Sequence, residues 1–233
     1  MLLQSGVTMY KLDNNPILYS HQIKILKLFF TTSFSKTFFL TGGTALSAFY
    51  LAHRESQDLD LFSLKPFDTL LLRNTMTEIA GKINAEMILN IRSQTFNEII
   101  LVNKKDSWSQ KIDIVQEQPK QFGELTKIDN ITIDSLLNIA TNKILAVFGR
   151  LEPKDYIDLF FICTKTEYCF DQLFEKAKKK DTGLNEFYFA NTIISVDKLE
   201  SLPVMKIPFN KKEFVNFYQE LSRKLLLKIK PEV

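Results

Sequence analysis

Three aspartates in the first half of the chain have the type and spacing of metal ligands. Asp58 and Asp60 alternate with leucines, and Asp113 lies between two isoleucines. Residues two apart on a strand share one face at about 7 Å, and carboxylates that close resist ionisation unless a cation lies between them. Magnesium prefers such oxygen ligands and leaves room for substrate phosphates. The pattern predicts a site for two magnesium ions suited to phosphoryl transfer, in which Asp113 assists deprotonation of the attacking hydroxyl.

A Gly42-Gly43-Thr44 turn supplies a complementary phosphate site. It follows an apolar strand at 38–40, and Thr44 is expected to cap a helix over 45–52. Backbone N–H groups at a helix start bind anions, and glycines let a triphosphate approach the backbone. A Gly-Gly pair alone is typical of ordinary tight turns. Its position between a strand, a helix and the Asp-x-Asp strand is what favours a nucleotide site.

The elements that must position these residues predict an α+β fold. A nucleotidyltransferase core with a small mixed β-sheet and helices is expected over residues 1–130, and a mainly helical C-terminal part over 131–233. Alternating apolar residues predict strands, and apolar residues at helical spacing predict helices. The strands are expected at 58–62, 96–102 and 110–115, and the helices at 20–31, 69–84, 135–150, 153 to about 163, 168–180 and 211–230.

Composition narrows the class of protein. Apolar residues make up 45% of the 233 residues and charged residues 24%, as in a globular domain. No apolar run approaches the roughly 18–20 residues of a membrane span, and the N-terminus lacks a secretion signal, so no membrane partner and a cytoplasmic location are expected.

Basic residues cluster at 176–180 and 211–230. These clusters predict either phosphate-backbone contacts or solvated helix faces.

Cysteine and histidine are too rare for a structural zinc site or a disulfide framework. The chain holds Cys163, Cys169, His21 and His53. Both cysteines are expected to be buried free thiols, and His53 is expected to be structural.

The motifs resemble a known family. The segments Leu40-Thr-Gly-Gly-Thr-Ala-Leu46 and His53-Arg-Glu-Ser-Gln-Asp-Leu-Asp-Leu-Phe62 are similar to the first motif of the AbiEii-type toxin nucleotidyltransferases, within the DNA polymerase β-like superfamily. Lys111-Ile-Asp113, Asn142-Lys143 and Lys154-Asp-Tyr-Ile-Asp158 extend the resemblance, which covers about residues 38–162. The C-terminal third matches only in being helical and basic.

The resemblance implies roles for individual residues. Gly42, Gly43 and Thr44 would hold a triphosphate, and Asp58, Asp60 and Asp113 would bind metal. Lys143 would face the nucleotide, and Asp158 would orient either Lys143 or the nucleotide, so both join the catalytic set. Their open alternatives are that Lys143 pairs with a nearby acid and that Asp155 caps its helix. Arg54 and Ser56 could touch phosphates, and Lys154 could contact RNA.

The implied function is that of a toxin in a toxin–antitoxin or abortive-infection system. It would be a magnesium-dependent transferase that moves a nucleoside monophosphate from an NTP to an acceptor, with the tRNA 3′ end as the leading choice. The basic C-terminal helices would hold the tRNA, and a cognate antitoxin would be a partner. One alternative keeps the chemistry with a protein or small-molecule hydroxyl as acceptor. Another is a non-catalytic binding scaffold, although unpaired buried acids are costly without a function.

Overall fold

The computed structural model of the chain describes residues 9–117 and 120–229, which divide into two compact units. Residues 9–135 form a sheet-bearing unit, and the described residues from Leu136 onward form a helical unit. The predicted α+β class is confirmed. The predicted division near residue 130 lies a few residues before the observed one. No helix of the described residues is long and apolar enough to cross a membrane.

One mixed sheet organises the first unit. In chain order its strands within the described residues are β1 (Phe38–Thr41), β2 (Leu59–Ser63), β3 (Glu86–Arg92), β4 (Phe96–Asn103), β5 (Trp108–Gln116), β6 (Thr126–Ile128) and β7 (Ile131–Ile133). Their spatial order is β3-β4-β5-β2-β1-β7-β6. The central strand β2 runs parallel to β5 and antiparallel to β1, and β5 is antiparallel to β4. The expected strands are therefore at the centre of the sheet.

Among the described residues of this unit, three α-helices accompany the sheet: α1 (Ser20–Phe29), α2 (Gly42–Ala45) and α3 (Thr69–Lys82). A π-helix over Leu46–Leu51 continues directly from α2 and ends at Ala52, whose φ of 48° is left-handed. The predicted cap at Thr44 is wrong, because the helix begins at Gly42 and Thr41 holds the cap position. The Thr41 hydroxyl does not cap the helix but donates to Asp134 Oδ2 at 2.6 Å. Thr44 lies inside the first turn, where its hydroxyl bonds to other residues.

The second unit contains five α-helices among its described residues. These are α4 (Leu136–Gly149), α5 (Pro153–Lys165), α6 (Phe170–Lys180), α7 (Glu186–Ile193) and α8 (Lys211–Lys228). Aromatic side chains join α5 to α8: the hydroxyl of Tyr218 donates to the carbonyl of Tyr156 at 2.6 Å, and the rings of Phe160 and Phe214 meet edge to face. The sequence pattern did not predict a secondary structure for the stretch that contains α7.

Several sequence expectations change at the surface. Cys163 is half-buried, but Cys169 is exposed at the N-cap position of α6, so the prediction of a buried thiol is wrong for Cys169.

Two lysines of the basic clusters form ion pairs with acidic residues. Lys178 forms ion pairs with Glu175 and Glu186, and Lys228 pairs with Asp171. This pairing favours solvated helix faces over phosphate contacts at those two positions.

Candidate active site

Asp60 and Asp113 lie side by side on two parallel strands. They are direct Cα partners in the pairing of β2 with β5. Each strand turns its aliphatic residues to the opposite face, where the leucines next to Asp60 and the isoleucines next to Asp113 are fully buried. Alternation along a strand then puts both carboxylates on the less covered face of the sheet. The alternating pattern therefore places two of the three predicted metal ligands, Asp60 and Asp113, next to each other on the sheet.

The two oxygens of Asp113 have different surroundings. Oδ2 accepts a hydrogen bond from Lys111 Nζ at 2.9 Å, whereas Oδ1 is buried and has no hydrogen-bond partner among the described residues. Burial raises the pKa of Asp113 above its usual value, although the nearby Lys111 ammonium acts in the opposite direction. Asp113 thus carries an oxygen with spare capacity to accept a proton or a cation.

Asp58 lies just before β2 rather than within it. The carbonyl of Asp58 accepts a hydrogen bond from the buried Thr44 hydroxyl. The preceding carbonyl, that of Gln57, accepts from two buried glutamine amides, Gln22 at 2.9 Å and Gln110 at 2.5 Å. This bonding fixes the backbone at the entry to the aspartate strand. The side chain of Asp58 also adds negative charge around Lys111 and Asp113.

The Gly-Gly turn is packed against the functional side chains. Gly42 has a left-handed φ of 70°, and a Cβ added there would come within 1.9 Å of Asp60 Oδ2. A Cβ on Gly43 would come within 2.4 Å of the Arg54 guanidinium. Only glycine combines this backbone conformation with so close an approach. The turn therefore brings a carboxylate and a guanidinium against two half-buried glycines.

Thr44, Arg54 and Ser56 surround this turn and are buried. The Thr44 and Ser56 hydroxyls are 2.8 Å apart, and Arg54 donates to the carbonyl of Glu55 at 2.8 Å. The Thr44 side chain is thus committed to protein contacts. A phosphate held at Thr44 would be bound by its backbone N–H.

The donor chemistry of the site suits a hard divalent cation. No three His, Cys, Asp or Glu side chains within the described ranges gather closely enough to form a complete metal site. The paired strand positions of Asp60 and Asp113 and the unpartnered Oδ1 of Asp113 nevertheless offer oxygen ligands of the kind that magnesium prefers.

Lys143, in the helical unit, lies between two buried acids. Its ammonium is 2.7 Å from Asp155 Oδ1 and 2.7 Å from Asp158 Oδ2, and Arg150 Nε is 2.7 Å from Asp155 Oδ2. The acids are three residues apart on α5 and share one face. Asp155 does not cap this helix, since Glu152 holds the cap position. Burial opposes ionisation of Asp155, but Lys143 and Arg150 outweigh it and lower the pKa.

A family model described as nucleotidyl transferase AbiEii toxin, type IV TA system, matches residues 24–228. The chain belongs to this AbiEii family. The family is described as one of nucleotidyl transferase toxins of toxin–antitoxin systems. The match extends well beyond the motif region, into the helical unit.

The chain is similar to one relative in sequence and to solved structures in fold. An uncharacterized protein aq_aa25 of Aquifex aeolicus is 29% identical over 145 residues, which are 61% of this chain and 66% of that protein, just under two thirds. A nucleotidyltransferase structure from H. pylori has a TM-score of 0.57 at 18% identity, covering 91% of this chain and 97% of the other. MenT4, a nucleotidyltransferase toxin of Mycobacterium tuberculosis, has a TM-score of 0.52 at 11% identity, covering 90% and 82%. At these identities the structures show a shared fold alone.

Sequence reasoning on this AbiEii family member missed three polar residues that support the site. Gln22 and Gln110 hold the backbone before Asp58, and Glu98 contacts Lys111. Each has a polar residue beside it in the sequence, so no apolar pattern marked these positions. The partner of each could be found only once the strands were paired.

Proposed function

We propose that this AbiEii family member is a magnesium-dependent toxin that transfers a nucleoside monophosphate from an NTP to the 3′ end of tRNA. The observation that carries the proposal is the side-by-side placement of Asp60 and Asp113, with Gly42 against Asp60. Membership of the family supports the reaction class. The sheet unit serves as the nucleotidyltransferase core, and the helical part adds Lys143, Asp158 and a surface for RNA.

Asp58, Asp60 and Asp113 are the proposed ligands for magnesium, with two ions in the proposed site. Bound there, the metal would supply positive charge against the developing charge on the phosphates and lower the pKa of a coordinated hydroxyl. Asp113 contributes the oxygen that has no hydrogen-bond partner in the described part of the chain, and Asp60 is its strand neighbour.

The glycine turn is the proposed triphosphate site. The backbone at Gly42, Gly43 and Thr44 begins a helix, where N–H groups favour anions. Arg54 lies against Gly43 and adds a planar cation that suits phosphate oxygens. Ser56 supports the turn through the Thr44 hydroxyl. Lys143 is the proposed second cation for the nucleotide, with Asp158 holding its ammonium in place.

The reaction is a displacement at the α-phosphorus. The oxygen of the tRNA 3′ hydroxyl forms a bond to the α-phosphorus of the NTP. The bond from that phosphorus to the oxygen bridging to the β-phosphate breaks, and pyrophosphate leaves with the electron pair. The hydroxyl proton passes to the Asp113 carboxylate, whose Oδ1 has no hydrogen-bond partner among the described residues.

The acceptor is assigned from the family resemblance and from positive charge in the helical unit. Lys154 and the exposed residues Arg223 and Lys224 carry charge that can contact RNA phosphates. A cognate antitoxin and a cytoplasmic location complete the proposal, as expected for a toxin that acts on tRNA.

The test incubates the full chain with total tRNA, magnesium and each α-³²P-labelled NTP in turn. Asp60→Asn and Asp113→Asn remove the proposed ligands at nearly constant shape. Asp106→Asn is the matched control, because Asp106 lies in the turn between β4 and β5 and its carboxylate bonds to Asn103. Periodate-oxidised tRNA tests whether the 3′ hydroxyl is the acceptor.

The expected result is label on tRNA with one or two NTPs, retained by Asp106→Asn. The label should be lost with Asp60→Asn, Asp113→Asn, EDTA or oxidised tRNA. Label on protein would replace the tRNA acceptor by a protein hydroxyl. Activity that survives EDTA would overturn the magnesium requirement. Absence of any transfer or Mg–NTP binding would favour the non-catalytic scaffold.

A further inference from the structure

Glu98 lies beside the candidate metal ligands. It is the Cα partner of Asp113 in the antiparallel pairing of β4 with β5, so Asp60, Asp113 and Glu98 occupy one row across three strands. Lys111 Nζ is 2.9 Å from Asp113 Oδ2 and 3.2 Å from Glu98 Oε2. One ammonium is therefore shared by a candidate metal ligand and by an acid that the family motifs do not include.

The group formed by Lys111, Glu98 and Asp113 is more enclosed than an ordinary surface ion pair. The exposed fractions of the side chains are 38% for Lys111, 13% for Glu98 and 18% for Asp113. Fully exposed pairs contribute little because water screens them, and screening falls as groups are enclosed. Asn90 also donates to Glu98, and this bond, followed by that from Lys111, lowers the pKa of Glu98. Glu98 is therefore held by two donors, Asn90 and Lys111.

We propose that Glu98 is a positioning residue that holds Lys111 away from exclusive pairing with Asp113 and so keeps the Asp113 carboxylate available to a divalent cation. The inference rests on the proposed function, in which Asp113 is a metal ligand. Two carboxylates divide the attraction of one ammonium, so each bond is weaker than it would be alone. Without the Glu98 charge, Lys111 pairs with Asp113 alone and competes more strongly with a cation.

The experiment measures binding of Mn²⁺ to the full chain by electron paramagnetic resonance, with Mn²⁺ as the probe for the magnesium site. Four proteins are compared: wild type, Glu98→Gln, Lys111→Met and the double variant. The control is Glu86→Gln, which removes another carboxylate paired with a lysine, Lys104, on the same sheet. Thermal unfolding of each variant reports whether it is folded.

The expected result is that Glu98→Gln weakens Mn²⁺ binding about tenfold, the usual scale for residues that orient metal ligands. Glu86→Gln should leave it unchanged. In the Lys111→Met background, Glu98→Gln should change the affinity by less than about threefold, because the two residues act through one contact. Glu98→Ala serves as a second variant and should weaken binding at least as much as Glu98→Gln.

Two outcomes overturn the inference while leaving the proposed function intact. One is wild-type affinity in Glu98→Gln. The other is an equal loss with and without Lys111, which would make Glu98 a direct ligand or a distant charge. If the wild type itself shows no Mn²⁺ binding that depends on Asp113, the metal part of the proposed function fails, and this inference fails with it.

Discussion

Gly42 and the carboxylate of Asp60 are in direct contact, and no side chain fits between them. A Cβ at Gly42 would lie 1.9 Å from Asp60 Oδ2, at a backbone φ of 70°. The glycine turn and the strand that carries Asp60 are thereby fixed against each other. Glycine is required at position 42 by its neighbour, apart from the proposed role of the turn in nucleotide binding.

Gly42→Ala should displace the Asp60 carboxylate and lower nucleotidyl transfer by at least about tenfold, on the scale seen when a residue that orients a metal ligand is changed. The left-handed backbone should also lower the free energy of unfolding by about 1–2 kcal/mol. Denaturant unfolding and transfer assays measure the two effects.

The matched control is Gly81→Ala in α3, where nothing lies within 4 Å of an added Cβ. It should raise stability by about 0.5–1 kcal/mol. Full activity in Gly42→Ala would contradict the proposed site.

The backbone before Asp58 provides a second test. Gln110 donates to the carbonyls of Gln57 and Lys111. Gln110→Leu keeps the size but leaves these carbonyls without that donor, which should cost about 1–3 kcal/mol of stability. Because Asp58 directly follows Gln57, the loss of this hydrogen bond should displace Asp58. We therefore also expect kcat to fall and magnesium to bind more weakly.

Gln219→Leu, at an exposed position of α8, is the control for the Gln110 variant. It should leave kcat, magnesium affinity and stability unchanged. A Gln110→Leu protein that is less stable yet has wild-type kcat and magnesium affinity would show that the glutamine supports the fold without positioning Asp58.

The centre of the sheet could be predicted from sequence because its strands alternate between buried aliphatic residues and acids. Asp60 and Asp113 follow that rule, and the structure shows the alternation that the pattern predicts. The edge strand β3 was missed because most of its residues are exposed, Ile88 and Ile91 among them. Such a strand lacks the two-faced pattern on which the prediction depends.

Contacts between strands could not be predicted at all. Glu98 reaches Lys111 only because β4 and β5 pair in one register, and a shift by one residue would turn Glu98 to the other face. The wrong cap at Thr44 has a similar origin. Its hydroxyl is drawn to the carbonyl of Asp58, fourteen residues along the chain, a competitor that local propensity does not contain.

Two variants of the buried Lys143 can separate a structural role of this lysine from a catalytic one. Lys143→Met would leave Asp155 and Asp158 buried without its ammonium and should lower stability by about 3–5 kcal/mol. Lys143→Arg keeps the charge and should retain most of the stability. If Lys143 also contacts the nucleotide, Lys143→Arg should raise the KM for NTP in a folded protein. An unchanged KM would leave Lys143 with the structural role alone.

The two cysteines should differ in reactivity, because a thiol reacts as its thiolate. Burial, followed by the nearby Cys169, raises the pKa of Cys163 to about 12. At pH 8 almost none of Cys163 is therefore ionised, and its side chain is only partly exposed, whereas Cys169 is exposed. With iodoacetamide at pH 8, mass spectrometry should find one fast adduct, on Cys169. The second should appear only on unfolding or at a pH near 12. Cys169→Ser should abolish the fast reaction, and a fast adduct on Cys163 in that variant would show that the α5 thiol is open to solvent and contradict its burial.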